Sequence, residues 1–202
     1  MSKAIAVVAG VAGLGLLGAT YVVTQGRSTT DCPGTAVATD SIGGPFELVS
    51  ETGAVVTQAD VISEPALIYF GYTFCPDVCP IDNMRNAQAV DLLAEQGHSV
   101  TPVFITVDPE RDTVDVVRSY TDNFHDKMIG LTGSAEQVAE AAGAYRVVYG
   151  KADSDPEFYL VNHSVFTYLV LPETGFAEFF RREDGPEAVA ERVACILDAA
   201  SV

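Results

Sequence analysis

Residues 66–80 read ALIYFGYTFCPDVCP. The five apolar side chains from Ala66 to Phe70 end at Gly71. A short continuous apolar run closed by glycine reads as a buried strand. The chain then passes Cys75, Pro76, Cys79 and Pro80 into a segment of helical character that runs to about Glu95. Within it Met84, Ala87, Val90, Leu92 and Leu93 recur near helical spacing, and Gly97 stops it. A strand feeding a helix through a short loop is an α/β unit. Two thiols four residues apart at the start of that helix share one face, one turn apart.

The rest of the chain extends the pattern. Val103–Val107 is a second buried strand, ending at Asp108-Pro109. Thr113 is placed to cap a helix carrying Val114, Val117 and Tyr120. Ile129–Leu131 is a brief strand, and Ser134-Ala135-Glu136-Gln137 has the capping-box pattern ahead of Val138–Ala142. Arg146–Tyr149 and Val165–Leu171 read as strands. The turn Pro172–Gly175 sends Ala177–Arg181 back as a hairpin. A closing helix, Glu187–Ala200, turns Val189, Val193, Ile196 and Leu197 inward. Alternation first, then hairpin and helix, predicts a three-layer α/β sandwich around a central mixed sheet. Sites in such sheets lie beyond the carboxyl ends of the strands, where the Cys75 loop falls.

The chain has 202 residues and a formal net charge of −17. Before Asp31 it carries only Lys3 and Arg27 and no acids; the remainder holds 9 basic and 28 acidic side chains. With no basic tract, a nucleic-acid partner is not expected, since a duplex would repel this surface. An apolar fraction of 48% supports a real core and excludes global disorder. Four cysteines are too few for a disulfide scaffold.

The head of the chain reads differently. Residues 4–23, AIAVVAGVAGLGLLGATYVV, contain no charge. As a helix they would span about 30 Å, the hydrocarbon thickness, with Tyr21 at interfacial depth. A cleaved signal peptide would be shorter, with a small-x-small site close behind; Ala36-Val37-Ala38 lies well past the run. Residues 1–24 are therefore expected to be a retained anchor, 25–41 a linker rich in Thr, Ser and Gly, and 42–202 the folded body. The weak positive-inside signal favours an exported body.

The Cys75/Cys79 pair can close a disulfide or share a soft metal. A helix N-terminus favours the thiolate, the form that attacks and ligates. A bridge across four positions removes little denatured-chain entropy, so a purely stabilising role fits poorly. A metal would need a third donor. His98 and His125 read as solvated loop residues, while His163 lies just before a strand; taken alone it would ordinarily be structural. Two thiolates and a neutral imidazole would select Cu(I) over hard cations, and an added ligand would admit Cu(II) or Zn(II). Met84 and Met128 are expected in the core. Asp77, Asp82 and the acids of Asp108–Asp112 are expected to be solvated or capping.

These residues resemble the Sco/SenC family, membrane-anchored copper proteins of cytochrome c oxidase assembly. Three segments match in order: Gly71–Pro80, Val107–Thr113, and His163-Ser164 followed by Tyr168–Val170. The hairpin Gly175–Arg181 also fits, and the likeness runs from about Phe46 to Leu197. It implies a thioredoxin-like fold and copper binding, as Cu(I) or Cu(II), by Cys75, Cys79 and His163. It also implies delivery of copper or electrons to the CuA site of oxidase subunit II, with exchange with other copper carriers possible. The body would face the periplasm from the inner membrane, or the intermembrane space in a mitochondrion. Two departures are visible: Phe74 stands where many members carry His, and Asn162 where Asp is common.

Three roles remain open to this pair: copper chaperone, thiol–disulfide oxidoreductase with Cys75 attacking and Cys79 resolving, or a copper or redox sensor. Cys32, in the linker, and Cys195, read as a small buried hydrophobe in the last helix, are not expected to ligate metal. Their spacing leaves open whether they pair.

Overall fold

The computed structural model describes residues 32, 42–152 and 158–200. The expected anchor at Ala4–Val23 lies outside them, as does nearly all of the linker. Among the described residues no helix is long and apolar enough to cross a membrane.

Among the described residues nine strands and five helices follow one another. They are β1 (Glu47–Ser50), β2 (Val55–Thr57), α1 (Gln58–Val61), β3 (Ala66–Gly71), α2 (Val78–Glu95), β4 (Thr101–Thr106) and α3 (Val114–Thr121). The second half comprises β5 (Ile129–Thr132), α4 (Ala135–Ala144), β6 (Tyr149–Lys151), β7 (Val161–His163), β8 (Thr167–Leu171), β9 (Gly175–Phe180) and α5 (Pro186–Ala200). Seven strands form one sheet in the order β2-β1-β5-β4-β3-β8-β9. β3, β4 and β5 run parallel, while β1, β8 and β9 join antiparallel. The expected central mixed sheet is therefore present.

Every residue of β3, β4 and β8 is buried, because helices cover both faces. On one face Leu67, Leu169 and Phe180 pack with Ala89, Val90 and Leu93 of α2 and Val189, Val193 and Ile196 of α5. On the other, Ile68, Phe70, Ile105 and Leu131 meet Val117 of α3 and Val138 and Ala141 of α4. That two-sided burial is why the strands read as unbroken apolar runs. Ser134 caps α4 with a complete capping box, and Thr113 takes the N-cap position of α3 without a side-chain cap bond. Gly97, at φ +87°, turns the chain out of α2.

In the arrangement of its elements and cysteines the structure departs from the sequence reading in four places. The hairpin β1–β2 and the single turn α1 carry no strong apolar period and were not expected. Arg146 adopts φ +56°, which breaks the strand expected at 146–149 and moves it to Tyr149–Lys151. His163 does not merely precede a strand: it ends β7, which among the described residues pairs with β6 in a separate two-stranded sheet. Cys195 is not a lone hydrophobe but is bonded to Cys32, 163 positions away, with Cα atoms 5.8 Å apart.

Candidate metal centre

β3 and β4 end side by side, with Val107 N–H donating to the Gly71 carbonyl at 2.8 Å. The cysteine loop leaves β3 and the Asp108–Asp112 turn leaves β4, so both occupy the carboxyl edge of the sheet, as such folds require. Cys75 lies in the loop ahead of α2, and Cys79 in the helix's first turn. The Cys79 backbone N–H points at the Cys75 sulfur at 3.5 Å, so that sulfur occupies the place of a capping group. Cys79 is fully buried and Cys75 partly so, and neither is oxidised.

His163 arrives from the small β6–β7 sheet. Its Nε2 stands 3.3 Å from the Cys79 sulfur. Its Nδ1 is 2.9 Å from the Ser164 carbonyl oxygen. A carbonyl only accepts, so Nδ1 carries the proton and Nε2 presents its lone pair to the sulfurs. Tyr69 and Tyr72 hold the ring edge-on, at centroid distances of 6.1 and 5.8 Å. One donor atom from each of Cys75, Cys79 and His163 fits within a 4.8 Å cluster. Soft sulfurs with an unprotonated imidazole nitrogen fit a soft, low-coordinate cation.

The two thiols are electrostatically unequal. Hydrogen bonding from Cys79, and from the backbone N–H groups of Cys79 and Asp77, outweighs burial and pulls the Cys75 thiol down to about 3. The Cys75 sulfur beside it, then burial, push the Cys79 thiol up. One negative charge thus resides on the partly exposed sulfur, and the buried one keeps its proton. Burial likewise raises the Tyr69 hydroxyl, which donates to Asp82 at 3.1 Å.

Gly71 makes the close packing possible. A Cβ there would lie 2.9 Å from the Tyr69 ring, 3.0 Å from the Cys79 sulfur and 3.1 Å from the Phe104 ring.

Several acids differ from expectation. Asp82, Asp108 and Asp112 are buried rather than solvated; Asp77 and Glu110 alone among those named stay at the surface. Asp112 accepts from Thr73 N–H at 3.0 Å, from Thr73 Oγ1 at 2.6 Å and from Thr106 Oγ1 at 2.6 Å. It ties the cysteine loop to the end of β4. Asp108 accepts from the Tyr159 hydroxyl at 2.7 Å and pairs with Arg111. Tyr159 carried no signal as a site residue, since its partners Asp108 and Arg111 lie about fifty positions away. The density of titratable groups in Asp108–Asp112 was the available clue.

Met84 is 43% exposed rather than core, whereas Met128 is buried as expected. His98 and His125 are not fully solvated but face Asp198 and Asp91 across the surface. Phe74 is 63% exposed, with the Arg111 guanidinium 5.0 Å from its ring centre. Asn162 is exposed on β7, and Cys32 and Cys195 are held in their own disulfide.

The chain is 57% identical over 166 residues to protein SenC of Rhodobacter capsulatus, spanning 82% of this chain and 75% of that one. It is 43% identical over 154 residues to the mitochondrial SCO1 homolog 1 of Arabidopsis thaliana, covering 76% of this chain and only about half, 46%, of that one. Arabidopsis thaliana ScoI, solved with copper bound, superposes with a TM-score of 0.74 at 41% identity, over 80% of this chain and 99% of that one. At the level of fold alone, BsSco, a member of the Sco family of cytochrome c oxidase assembly proteins, gives a TM-score of 0.65 at 20% identity. The SCO1/SenC family model matches residues 34–198. With a thioredoxin-like body and a Cys, Cys, His cluster at its sheet edge, the chain belongs to the SCO1/SenC family.

Proposed function

We propose that this protein is a copper-handling factor of cytochrome c oxidase assembly, with Cys75, Cys79 and His163 as the ligands of a transferable copper ion. The observation that carries this reading is the clustering of two sulfurs and a lone-pair nitrogen from residues 84 positions apart. Copper in this reading is cargo, held as Cu(I). The Cys75 thiolate is already formed, Cys79 gives up its proton on binding, and His163 Nε2 needs none. The partly exposed Cys75 allows a partner's thiol or imidazole to enter before release.

The surface supports delivery to a protein. Phe74, Ile81, Met84, Val148, Phe158, Leu160 and Phe166 are exposed apolar residues, and all are carried by the segments that bear or flank the three donors. A partner that takes the ion must cover this area, and the CuA site of oxidase subunit II is the partner we propose, other copper carriers serving as donors. The Cys32–Cys195 disulfide fits an oxidising compartment. This supports an anchor at residues 4–23 in the inner membrane and a body on the periplasmic or intermembrane-space side.

A second reading has its own support in the inequality of the thiols. The Cys75 thiolate attacks a partner disulfide, forming a mixed disulfide and freeing one partner thiol. Cys79 then attacks the Cys75 sulfur, closes the Cys75–Cys79 bond and frees the second partner thiol. Two electrons pass to the partner, and His163 is dispensable.

Copper stoichiometry and X-ray absorption on the anaerobically reduced protein test the choice. The expected result is one Cu(I) bound by two sulfurs and one nitrogen, with the nitrogen and much of the affinity lost in His163→Ala. Full retention of Cu(I) by the Cys75→Ala/Cys79→Ala protein would reject copper handling at this site.

A further inference from the structure

The His163 arm is a sheet apart. β6 and β7 pair with each other and with no strand of the main sheet, so backbone ladders do not fix the arm against the cysteine loop. Side-chain contacts do so: Tyr69 and Tyr72 meet the His163 ring itself, and a second set, farther along the arm, converges on the turn after β4. Asp108, 3% exposed, accepts the Tyr159 hydroxyl at 2.7 Å and holds Arg111 Nε at 2.5 Å. Arg111 Nη1 donates to the Tyr159 carbonyl at 3.0 Å, and its guanidinium lies 3.6 Å from the Tyr159 ring centre. The same guanidinium reaches the cysteine loop, 5.0 Å from the Phe74 ring and 5.8 Å from that of Tyr72. Its Nη2 is buried without a hydrogen-bond partner among the described residues, so contact with aromatic faces is what that nitrogen gains. Glu110 adds an outer tie to Lys151 of β6 at 2.7 Å.

We propose that Arg111, oriented by Asp108, is a positioning residue for the metal centre: it clasps Tyr159 and so holds the His163 arm at bonding distance from the cysteine sulfurs. This rests on the reading of His163 as a copper ligand. Among the described residues Arg111 meets Asp108, the Tyr159 carbonyl and aromatic rings, not a donor atom of the cluster. It acts through Tyr159, four residues before His163, and its planar fork makes the stacking and the hydrogen bonds together. Lysine at this position would keep the charge and lose that geometry. The cysteine loop has a separate tether in Asp112, so loosening Arg111 releases the histidine arm and leaves the dithiol in place.

The test compares Arg111→Lys and Tyr159→Phe with the parent, each also in a His163→Ala background. In the metal-free reduced protein, amide hydrogen exchange at Val161 to Ser164 is expected to quicken at least tenfold, with β3 amides and the alkylation rate of Cys75 unchanged. Competition with a chromophoric Cu(I) chelator is expected to show affinity about 10–100-fold weaker, the usual range for loss of an outer-shell support. In the His163→Ala background the same substitutions should change affinity less than twofold. Unchanged exchange at Val161 to Ser164 overturns the clasp whatever copper does, as does an equal affinity loss with and without His163. A His163→Ala protein of full affinity overturns the ligand reading instead, and the exchange data still decide the clasp.

Discussion

Cys75 and Cys79 share one turn of chain and differ in exposure and in the pull on their protons. The Cys75 sulfur collects hydrogen bonds from Cys79 and from backbone N–H groups and is pulled down to about 3; the buried Cys79 is pushed the other way. Because the Cys75 shift is downward, its thiolate persists as pH falls. Alkylation of the reduced, metal-free protein by iodoacetamide should therefore select Cys75 and proceed at nearly constant rate from pH 5 to 8. An ordinary thiol, with a pKa of about 8.5, would gain close to tenfold per unit over that range. A Cys75 rate climbing in that ordinary way would refute the assignment. His163 is fixed in a different manner: the Ser164 carbonyl sets its tautomer, and the edges of Tyr69 and Tyr72 set its plane.

At the scale of elements, the site depends on how closely β3 and α2 approach. Gly71 ends the strand with no side chain, and the Tyr69 ring and Cys79 sulfur fill the space a Cβ would take. Gly71→Ala is expected to destabilise the protein by about 1–3 kcal/mol through overpacking and to lower Cu(I) affinity by displacing Cys79. Chemical denaturation with copper titration checks both, and an alanine variant with native stability and affinity would contradict the packing described. The turn 108–112 does the complementary work. Asp112 binds it to the cysteine loop, and Asp108 with Arg111 binds it to the histidine arm. Nothing in the local pattern distinguishes such a bracket from a polar surface turn. Its acids are charged, next to a proline and outside any periodic element. Only partners brought from Thr73 and Tyr159 bury them.

For the whole molecule, the Cys32–Cys195 bridge joins the segment ahead of the body to its last helix. A closed loop of 163 positions is large, and the chain-entropy model assigns its loss about 5 kcal/mol, an upper value. Cys32→Ser/Cys195→Ser should lower the denaturation free energy by several kcal/mol, measurable as a shifted denaturant midpoint, and leave copper stoichiometry intact. A variant that keeps full stability would show that the body needs no such closure; one that loses copper would link the bridge to the site.

The sequence by itself determined the strand-loop-helix unit at 66–95, the buried strand read at 103–107, the capping box at Ser134 and the Cys75/Cys79 pair. In each case the cause is local: apolar runs, capping side chains and glycine stops act within a few residues. The likeness across Gly71–Pro80, Val107–Thr113 and His163-Ser164 carried the third donor. Tertiary structure alone decided the rest. It set the pairing of His163 with Cys79, the burial of Asp82, Asp108 and Asp112, the clasp on Tyr159 and the union of Cys32 with Cys195. Each joins groups tens of residues apart, and such contacts exist only once both faces of the sheet are covered and its carboxyl edge gathers the loops.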